Sequence, residues 1–312
     1  MTPAASPSLN RRAAFASIAV ALLLLGLKAW AVWATHSTAM LGSLADTALD
    51  LVASVATLAG VWIAAQPADA EHRFGHGKAE ALAAMFQVLL IAISATGLAV
   101  RAFQQLVGGG RIEAAQDGIV VSGIAMAATL ALLAYQRFVI ARTGSLAIST
   151  DHVHYQSDLL LNLAVIAALA LDQYANVAGA DPVFALGIAG WLLWGAWSAS
   201  QAAIEQLMDR EWPEDKRQRF VEIAARHPEL EHLHDLRTRT SGDRDFVQFH
   251  VDLPGAMSVT QAHDIIDRVE HALCREFPNM ELLIHIDPAG HVDEPGNPLV
   301  EKDEFDSLEE FP

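Results

Sequence analysis

The chain has 312 residues and is 53% hydrophobic, with a mean hydropathy of +0.28, which is more apolar than soluble globular proteins usually are. Its formal charge of −17, from 37 acidic and 20 basic side chains, argues against nucleic-acid binding, which calls for a basic surface. The single cysteine, Cys274, excludes an internal disulfide and is interpreted as a buried helix residue.

Six apolar runs occur in the first two thirds of the chain, and each reaches the ~20 residues that a helix needs to cross a bilayer. We expect transmembrane helices at about 13–35, 40–65, 79–107, 118–140, 147–174 and 182–206. The first run is too long for the apolar part of a secretory signal, so it is interpreted as a retained helix. Residues 1–12 would form an N-terminal cytoplasmic segment, and residues 13–206 the six-helix membrane domain.

Basic residues in the short loops predict the orientation of these helices. The N-terminal segment and the loops at 66–78 and 137–146 each carry two Lys or Arg residues, whereas the opposite loops carry only Arg111. Cytoplasmic loops are enriched in Lys and Arg. Both termini are therefore expected in the cytoplasm, with the helices in the lipid bilayer of a bacterial inner membrane.

A second domain is predicted after residue 207, where charge becomes frequent and no long apolar run remains. The predicted elements are helix 213–226, strands at about 232–240 and 245–253, helix 259–276 and strand 281–287. The αββαβ order predicts an α+β domain over 207–288, with one helical layer on a small sheet of the ferredoxin or metallochaperone type. Residues 289–312 form an acidic tail that is poor in core residues, which favours disorder.

Two pairs of polar residues lie inside apolar runs. In "LADTALDLVASVA", Asp46 and Asp50 are four residues apart and share a helix face. Asp50 lies ~15 Å along the helix from Met40, close to the midplane of a bilayer. His154 and Asp158 have the same spacing in "DHVHYQSDLLLN". No basic residue lies near either pair on its own helix, so the net-acidic cluster needs a cation or protons, with a purely structural network as the alternative.

The chemistry of these two pairs favours zinc. Three carboxylates and one imidazole match the oxygen and nitrogen ligands of a tetrahedral zinc ion. A hard octahedral ion would require more oxygen ligands and water.

Two further groups of residues could bind a metal. In the loop sequence "PADAEHRFGHGKAEA", Asp69, His72 and His76 offer one oxygen and two nitrogens, although such loops are often only solvated. The glycines of this loop favour a turn over a helix.

In the second domain, alternation in "LLIHIDP" places His285 and Asp287 on one face of a strand. The same alternation directs Leu282, Ile284 and Ile286 to the core. His250 in "DFVQFHVDL", with His234 and His263, can join the polar face. A metal site and a solvated sheet face both remain open.

Six motifs occur in a fixed order over residues 10–290: "LADTALDLVASV", "HRFGHGKAEALAA", "HYQSDLLLN", "LMDR", "HDLRTR" and "IHIDP". In these motifs the chain resembles the cation diffusion facilitators, and within that family the bacterial zinc transporters. The resemblance implies zinc/proton antiport by a homodimer. It also implies a charge interlock between Lys78 and Asp209 across that dimer.

The resemblance assigns three metal sites. The transport site comprises Asp46, Asp50, His154 and Asp158. The loop site comprises Asp69, His72 and His76. A binuclear cytoplasmic site comprises His234, His250, His263, His285 and Asp287. The family has Gln between the His and Asp of the last motif, and this chain has Ile286, so the contribution of that amide is missing and the number of metal ions is open. His152 and His232 remain unassigned.

The predicted function is the efflux of zinc, and also cadmium, from the cytoplasm by alternating access, with protons as the counter-ion. Metal and protons compete for the same lone pairs, and an imidazole such as that of His154 titrates near physiological pH. Zinc is expected both as the transported ion and as a structural or regulatory ion. The alternatives are a membrane-anchored metal sensor, an exporter of ferrous iron or cobalt with the same fold, and an intramembrane metallohydrolase. The last of these would be an enzyme, but the H-E-x-x-H motif is missing.

Overall fold

The computed structural model describes residues 5–35, 38–108, 119–175, 180–290 and 303–306, and it divides the chain into the compact units Thr2–Ile204 and Glu205–Pro312. The helices of the first unit are α1 Ala5–Thr35, α2 Thr38–Ala64, α3 Ala79–Gly108, α4 Ile119–Thr143, α5 Leu146–Ala175 and α6 Ala180–Leu207. Five of the predicted runs agree with these bounds to within about three residues. The exception is α1, which begins well before residue 13 because Asn10 is buried there and donates to Oε1 of Glu80 at 3.2 Å.

Five of the helices are long and apolar enough to cross a membrane, counted over the described residues alone. For α5, many of the side chains between residues 161 and 175 lie outside the described residues, so the criterion covers only part of this helix. Large apolar side chains point outward from the other helices, including Trp33, which is 73% exposed, and Trp194, which is 71% exposed. Such side chains are suited to contact with lipid. The sixth span therefore remains a prediction.

Small residues allow the helices of the first unit to pack closely. A Cβ atom on Gly60 of α2 would lie 2.3 Å from Cβ of Ala83 on α3, so only glycine fits at this contact. Ala13, Ala147 and Val61 are buried in a neighbouring cluster. Close approach through small residues is typical of membrane helices, because dispersion forces replace the hydrophobic effect in lipid.

The second unit confirms the predicted αββαβ order. Its elements are α7 Glu214–Ala224, β1 Glu231–Ser241, β2 Arg244–Leu253, α8 Val259–Glu276 and β3 Met280–Pro288. The central strand of the sheet is β2, which pairs antiparallel with β1 and parallel with β3. A capping box between Ser258 and Gln261 fixes the start of α8.

Both helices of this unit pack on the apolar face of the sheet. Phe220 of α7 and Leu273 of α8 are fully buried against Phe249 of β2. The predicted interior position of Cys274 is met in part, since its side chain is half-buried against this core, and burial raises the pKa of its thiol. The prediction for Ile286 is wrong: it is 38% exposed, because the core ends at Leu282 and Ile284.

Part of the acidic tail contacts the second unit. The backbone N–H of Glu304 donates to the carbonyl oxygen of Leu233 on β1 at 2.8 Å, and Phe305 packs against the core. Asp303 approaches the ring of His232 at 2.9 Å. An edge strand has unpaired backbone groups, which explains why the tail pairs there. Residues 303–306 therefore do not follow the disorder expected for 289–312.

Candidate metal centres

The first cluster lies between α2 and α5. Nε2 of His154 lies 3.0 Å from Oδ1 of Asp50, and one ligand atom from each of Asp50, His154 and Asp158 lies within 4.8 Å of the others. The side chains of His154 and Asp50 are 11% and 17% exposed. The structure thus brings together three of the four predicted transport-site residues. Asp46 belongs to α2, but its side chain lies outside the described residues.

The helical spacing explains this cluster. His154 and Asp158 lie one turn apart on α5, so both face the same neighbour. Two carboxylates and an imidazole within a few ångströms offer an ion bonds of the ~2.0–2.2 Å length that zinc forms with such ligands. The cluster holds two carboxylates and one imidazole, and this excess of acidic groups favours a divalent cation.

The second cluster lies in the loop between α2 and α3. Oδ1 of Asp69 lies 3.4 Å from Nδ1 of His72, and Oδ2 lies 3.4 Å from Nε2 of His76. The chain turns back at Gly75, where φ is +80°, and this turn brings the two imidazole rings to 4.5 Å. The backbone N–H of His72 donates to Asp69 at 2.6 Å and lowers the pKa of that carboxyl. The carboxylate is therefore available as a ligand at neutral pH.

The third cluster is a row of histidines across the three strands of the second unit. The strand register pairs His234 with His250, and His250 with His285. Asp287 is 7% exposed and lies under the row. Its carboxylate approaches Nδ1 of His250 at 2.9 Å, Nε2 of His285 at 3.5 Å and Nε2 of His234 at 3.6 Å. One carboxylate thus lies within hydrogen-bond or ion-pair distance of three imidazole rings.

The hydrogen bonds of these histidines fit a zinc ion. Nδ1 of His234 lies 2.8 Å from the carbonyl oxygen of His232, so a proton on Nδ1 has an acceptor, and the lone pair of Nε2, on the side of Asp287, is available to a metal ion. A ligating imidazole almost always donates its other N–H in this way. The contact depends on irregular backbone in β1, where φ is +49° at His232. His234, His250 and Asp287 therefore offer the nitrogen and oxygen ligands that zinc binds, and the hydrogen bond of His234 favours the tautomer that a zinc ligand needs.

Asp235 is a residue that the sequence pattern did not identify. Its Oδ2 lies 3.5 Å from Nε2 of His250, on the side of the ring away from Asp287. Arg237 donates to both oxygens of Asp235, at 3.0 and 2.9 Å. Strict alternation would place Asp235 opposite His234. A register shift between His234 and Arg237, with φ of +50° at Asp235, breaks the alternation, and no sequence signal predicts this.

We expect Asp235→Asn to weaken zinc binding at the cytoplasmic cluster by about 10-fold, because a carboxylate 3.5 Å from the ring of His250 helps to orient that ring and raises its basicity. Binding is measured by chelator competition in the full chain, with Asp50→Asn and Asp69→Asn present to disable the other two clusters. The matched control is Asp267→Asn, a carboxylate 3.5 Å from His271 on α8, away from the cluster. Equal zinc affinity in the two variants would contradict this role for Asp235.

Other predicted residues are not brought to a cluster. His263 is exposed on α8, which packs against the apolar face of the sheet. Lys78 and Asp209 belong to different compact units, so their interlock remains a prediction. Within its own unit, Asp209 accepts from Nη1 of Arg239 at 3.4 Å.

A lysine on a third helix contacts α2 beside the aspartate pair in sequence. Nζ of Lys28 on α1 donates to Oγ1 of Thr47, one residue after Asp46, at 2.5 Å. The pattern of acidic pairs on α2 and α5 does not predict this contact, because Lys28 belongs to a different helix.

Comparison with known proteins places both units in one family. The cation efflux transmembrane domain matches residues 14–208, and the cation efflux protein cytoplasmic domain matches residues 212–289. The chain belongs to the cation diffusion facilitator family. It is a cation efflux transporter with a helical membrane domain and a C-terminal cytoplasmic domain.

Relatives match almost the whole length of the chain. The cation-efflux pump FieF of Cronobacter sakazakii is 43% identical over 281 residues, which are 90% of this chain and 93% of that protein. FieF of Escherichia fergusonii is 41% identical over 285 residues, or 91% of this chain and 95% of that protein.

Among solved structures, CzrB in its zinc form is 34% identical and covers 28% of this chain and 99% of its own, with a TM-score of 0.25. The metal-bound C-terminal domain of CzcD from Thermotoga maritima is 25% identical and covers 25% of this chain and 93% of its own, with a TM-score of 0.24.

Proposed function

We propose that the protein exports zinc, and also cadmium, from the cytoplasm in exchange for protons, by alternating access in a homodimer of the bacterial inner membrane. Both termini lie in the cytoplasm in this proposal. The observation that carries it is the cluster of Asp50, His154 and Asp158, which is largely buried between two helices of a cation efflux domain.

The cation is the substrate at this cluster. Asp50 and Asp158 supply carboxylate oxygens, His154 supplies a ring nitrogen, and we propose Asp46 as the fourth ligand. An imidazole in the site favours zinc over manganese, which prefers oxygen ligands. A metal ion can bind only when His154 is neutral and the carboxylates are charged, so metal entry releases protons and proton binding expels metal.

The other two clusters hold zinc that is not transported. In the cytoplasmic domain, a zinc ion at Asp287 would offset part of the negative charge of a chain with a formal net charge of −17. The exposed His285 and His263 complete the proposed binuclear site in the homodimer, and Lys78 with Asp209 forms the proposed interlock between its subunits. The loop cluster of Asp69, His72 and His76 binds a third ion.

Metal uptake into sealed proteoliposomes tests the proposal. We expect external zinc to enter vesicles with an acidic interior faster than vesicles without a pH gradient, and an ionophore that collapses the gradient should remove the difference. Cadmium, ferrous iron, cobalt and manganese are compared in the same preparation. Zinc binding without flux would identify a sensor, and zinc flux that ignores the gradient would exclude proton antiport.

His285→Ala should reduce the zinc-dependent rise in thermal stability while leaving measurable zinc flux at high zinc. The lost ligand weakens the cytoplasmic site, and a 10-fold loss of affinity removes about 1.4 kcal/mol of zinc-linked stability at saturating zinc. Melting curves with and without zinc and vesicle flux are measured on one preparation. His271→Ala is the control, since His271 is exposed and lies outside the cluster. Complete loss of flux in a folded His285→Ala protein would place this site on the transport path.

A further inference from the structure

A buried carboxylate outside the three metal clusters links its own helix, α5, to three other helices of the first unit through hydrogen bonds. Asp151 of α5 is fully buried. Its Oδ2 accepts from Oγ of Ser17 on α1 at 2.6 Å and from Nε2 of Gln136 on α4 at 2.8 Å. Its Oδ1 accepts from Nε2 of Gln87 on α3 at 2.7 Å. These three donors are themselves at most 1% exposed, so the hydrogen bonds around Asp151 are buried among the helices.

A second buried residue of α5, Tyr155, contacts α2, the neighbouring helix that the described hydrogen bonds of Asp151 do not reach. The hydroxyl of Tyr155, also fully buried, lies 2.9 Å from Oγ of Ser54 on α2 and donates to the carbonyl oxygen of Ser17 at 3.1 Å. Asp151 precedes His154 by three residues, and Tyr155 follows it by one. The residues on both sides of His154 are therefore tied to α1, α2, α3 and α4.

This arrangement fixes the rotation of α5 at the transport site. Successive residues of a helix are ~100° apart around its axis, so a small rotation of α5 would turn His154 and Asp158 away from Asp50. The side chains that face Asp151 from α1, α3 and α4 are uncharged donors. Their directions set where the carboxylate can lie.

We propose that Asp151 is a positioning residue of the transport site, whose carboxylate holds α5 in the rotation that presents His154 and Asp158 to Asp50. This inference rests on the proposed transport function of that cluster. It predicts that zinc affinity depends more on the position of a hydrogen-bond acceptor at residue 151 than on the negative charge there.

The Gln87 side chain makes it possible to test the geometry and the charge of residue 151 separately. Oε1 of Gln87 is buried and has no hydrogen-bond partner among the described residues. In Asp151→Asn, the amide oxygen can accept from Ser17 and Gln136, and its NH₂ group can donate to Oε1 of a turned Gln87. Asparagine can thus keep hydrogen bonds to all three side chains without carrying the charge. Asp151→Ala removes the acceptor on α5 from all three donors, so Oγ of Ser17 and Nε2 of Gln136 keep, among the described residues, only bonds that do not reach α5.

The experiment compares Asp151→Ala, Asp151→Asn and the control Thr150→Val. Thr150 is 1% exposed, and its hydroxyl donates to Leu146 of its own helix at 2.9 Å, so the control removes a buried hydroxyl that joins no other helix. Zinc affinity of the membrane site is measured by chelator competition in the full chain, with Asp69→Asn and His250→Ala in every variant. The KM for zinc and the ratio of zinc to manganese flux are measured in vesicles, on the chain without these two background changes.

We expect Asp151→Ala to weaken zinc affinity by about 10-fold, as loss of a ligand's supporting contacts does, with a raised KM and a lower zinc-to-manganese ratio. Asp151→Asn should stay within about 2-fold of the unmodified chain, and Thr150→Val should match it. A folded Asp151→Asn protein as weak as Asp151→Ala would show that the charge is required, and would overturn the positioning role. Unchanged affinity in Asp151→Ala would also overturn it.

Two further variants keep the test decisive where Asp151→Ala does not fold. Ser17→Ala and Gln87→Met each remove one donor, and each should weaken zinc affinity in the same direction by a smaller factor. Wild-type affinity in both, in folded protein, would overturn the proposal. Absence of zinc flux in the unmodified chain would instead contradict the proposed transport function. The zinc affinities of the variants would still test whether Asp151 positions the site.

Discussion

Replacing Asp50 by alanine should lower zinc flux by at least about 100-fold, because even groups that only support a metal ligand are worth about 10–100-fold. Asp50 is the α2 member of the cluster, and its Oδ1 lies 3.0 Å from the ring of His154. Without it, His154 loses the α2 carboxylate that lies against its ring. Both the metal and the protonated His154 would lose their partner.

The same change should leave the bundle folded, since the close contacts between the helices, such as Gly60 of α2 against Ala83 of α3, do not involve Asp50. Flux is measured in vesicles, and folding by gel filtration and thermal unfolding. The control is Thr57→Val, since Thr57 of α2 is fully buried and, among the described residues, its hydroxyl donates at 3.2 Å to Ala53 of its own helix. Asp50→Asn tests charge at constant shape. Normal zinc flux in Asp50→Ala would rule out this cluster as the transport site.

The fold was predictable because its constraints are local. A bilayer demands about 20 apolar residues per helix, so α2, α3 and α6 can be read from hydropathy alone. In the second unit, alternation and turn residues placed β2 and α8 to within a residue or so. The errors occur where tertiary contacts decide, as at Ile286, where the strand continues past the end of the core.

The candidate sites were predictable only in part. Helical spacing showed that His154 and Asp158 share a face, but not that this face meets Asp50, which required the resemblance to a family. Alternation likewise selected the polar face of β3 without giving the register that aligns His250 with His285. Side-chain faces follow from local periodicity, whereas partners depend on the packing of distant elements.

The residues that sequence reasoning missed all depend on distant or irregular backbone. Asp235 reaches His250 only because the chain adopts positive φ at a register shift. Asp151 lies in a quoted motif region, yet Ser17 and Gln87 are 134 and 64 residues away from it in sequence. A single buried acidic residue has no periodic pattern, so its role becomes visible only when its donors are located.

Two of the proposed transport ligands share one helix with their proposed supports, and this has a consequence for metal choice. Asp151, His154, Tyr155 and Asp158 occupy two turns of α5, so any change in the shape of one side chain acts on a rigidly held site. Selectivity should then respond to ligand chemistry rather than to helix movement. His154, as the nitrogen ligand, is the position where this can be tested.

His154→Asp should lower the ratio of zinc to manganese flux by roughly 10-fold, because it converts a site with one nitrogen ligand into an oxygen-only site. The shorter side chain also leaves room for water, which octahedral ions retain as ligands. Because Asp151 and Tyr155 hold α5 in place independently of the imidazole, the substitution should alter the donor set without turning the helix.

Zinc, cadmium and manganese fluxes are measured in vesicles prepared in parallel from the unmodified chain, His154→Asp and His271→Asp. His271→Asp is the control: it makes the same substitution at an exposed histidine of α8 that lies outside the three clusters. We expect the flux ratio to fall in His154→Asp alone, through a gain in manganese flux as well as a loss of zinc flux. An unchanged ratio in an active His154→Asp protein would mean that the imidazole does not set selectivity, and that the preference for zinc arises elsewhere along the transport path.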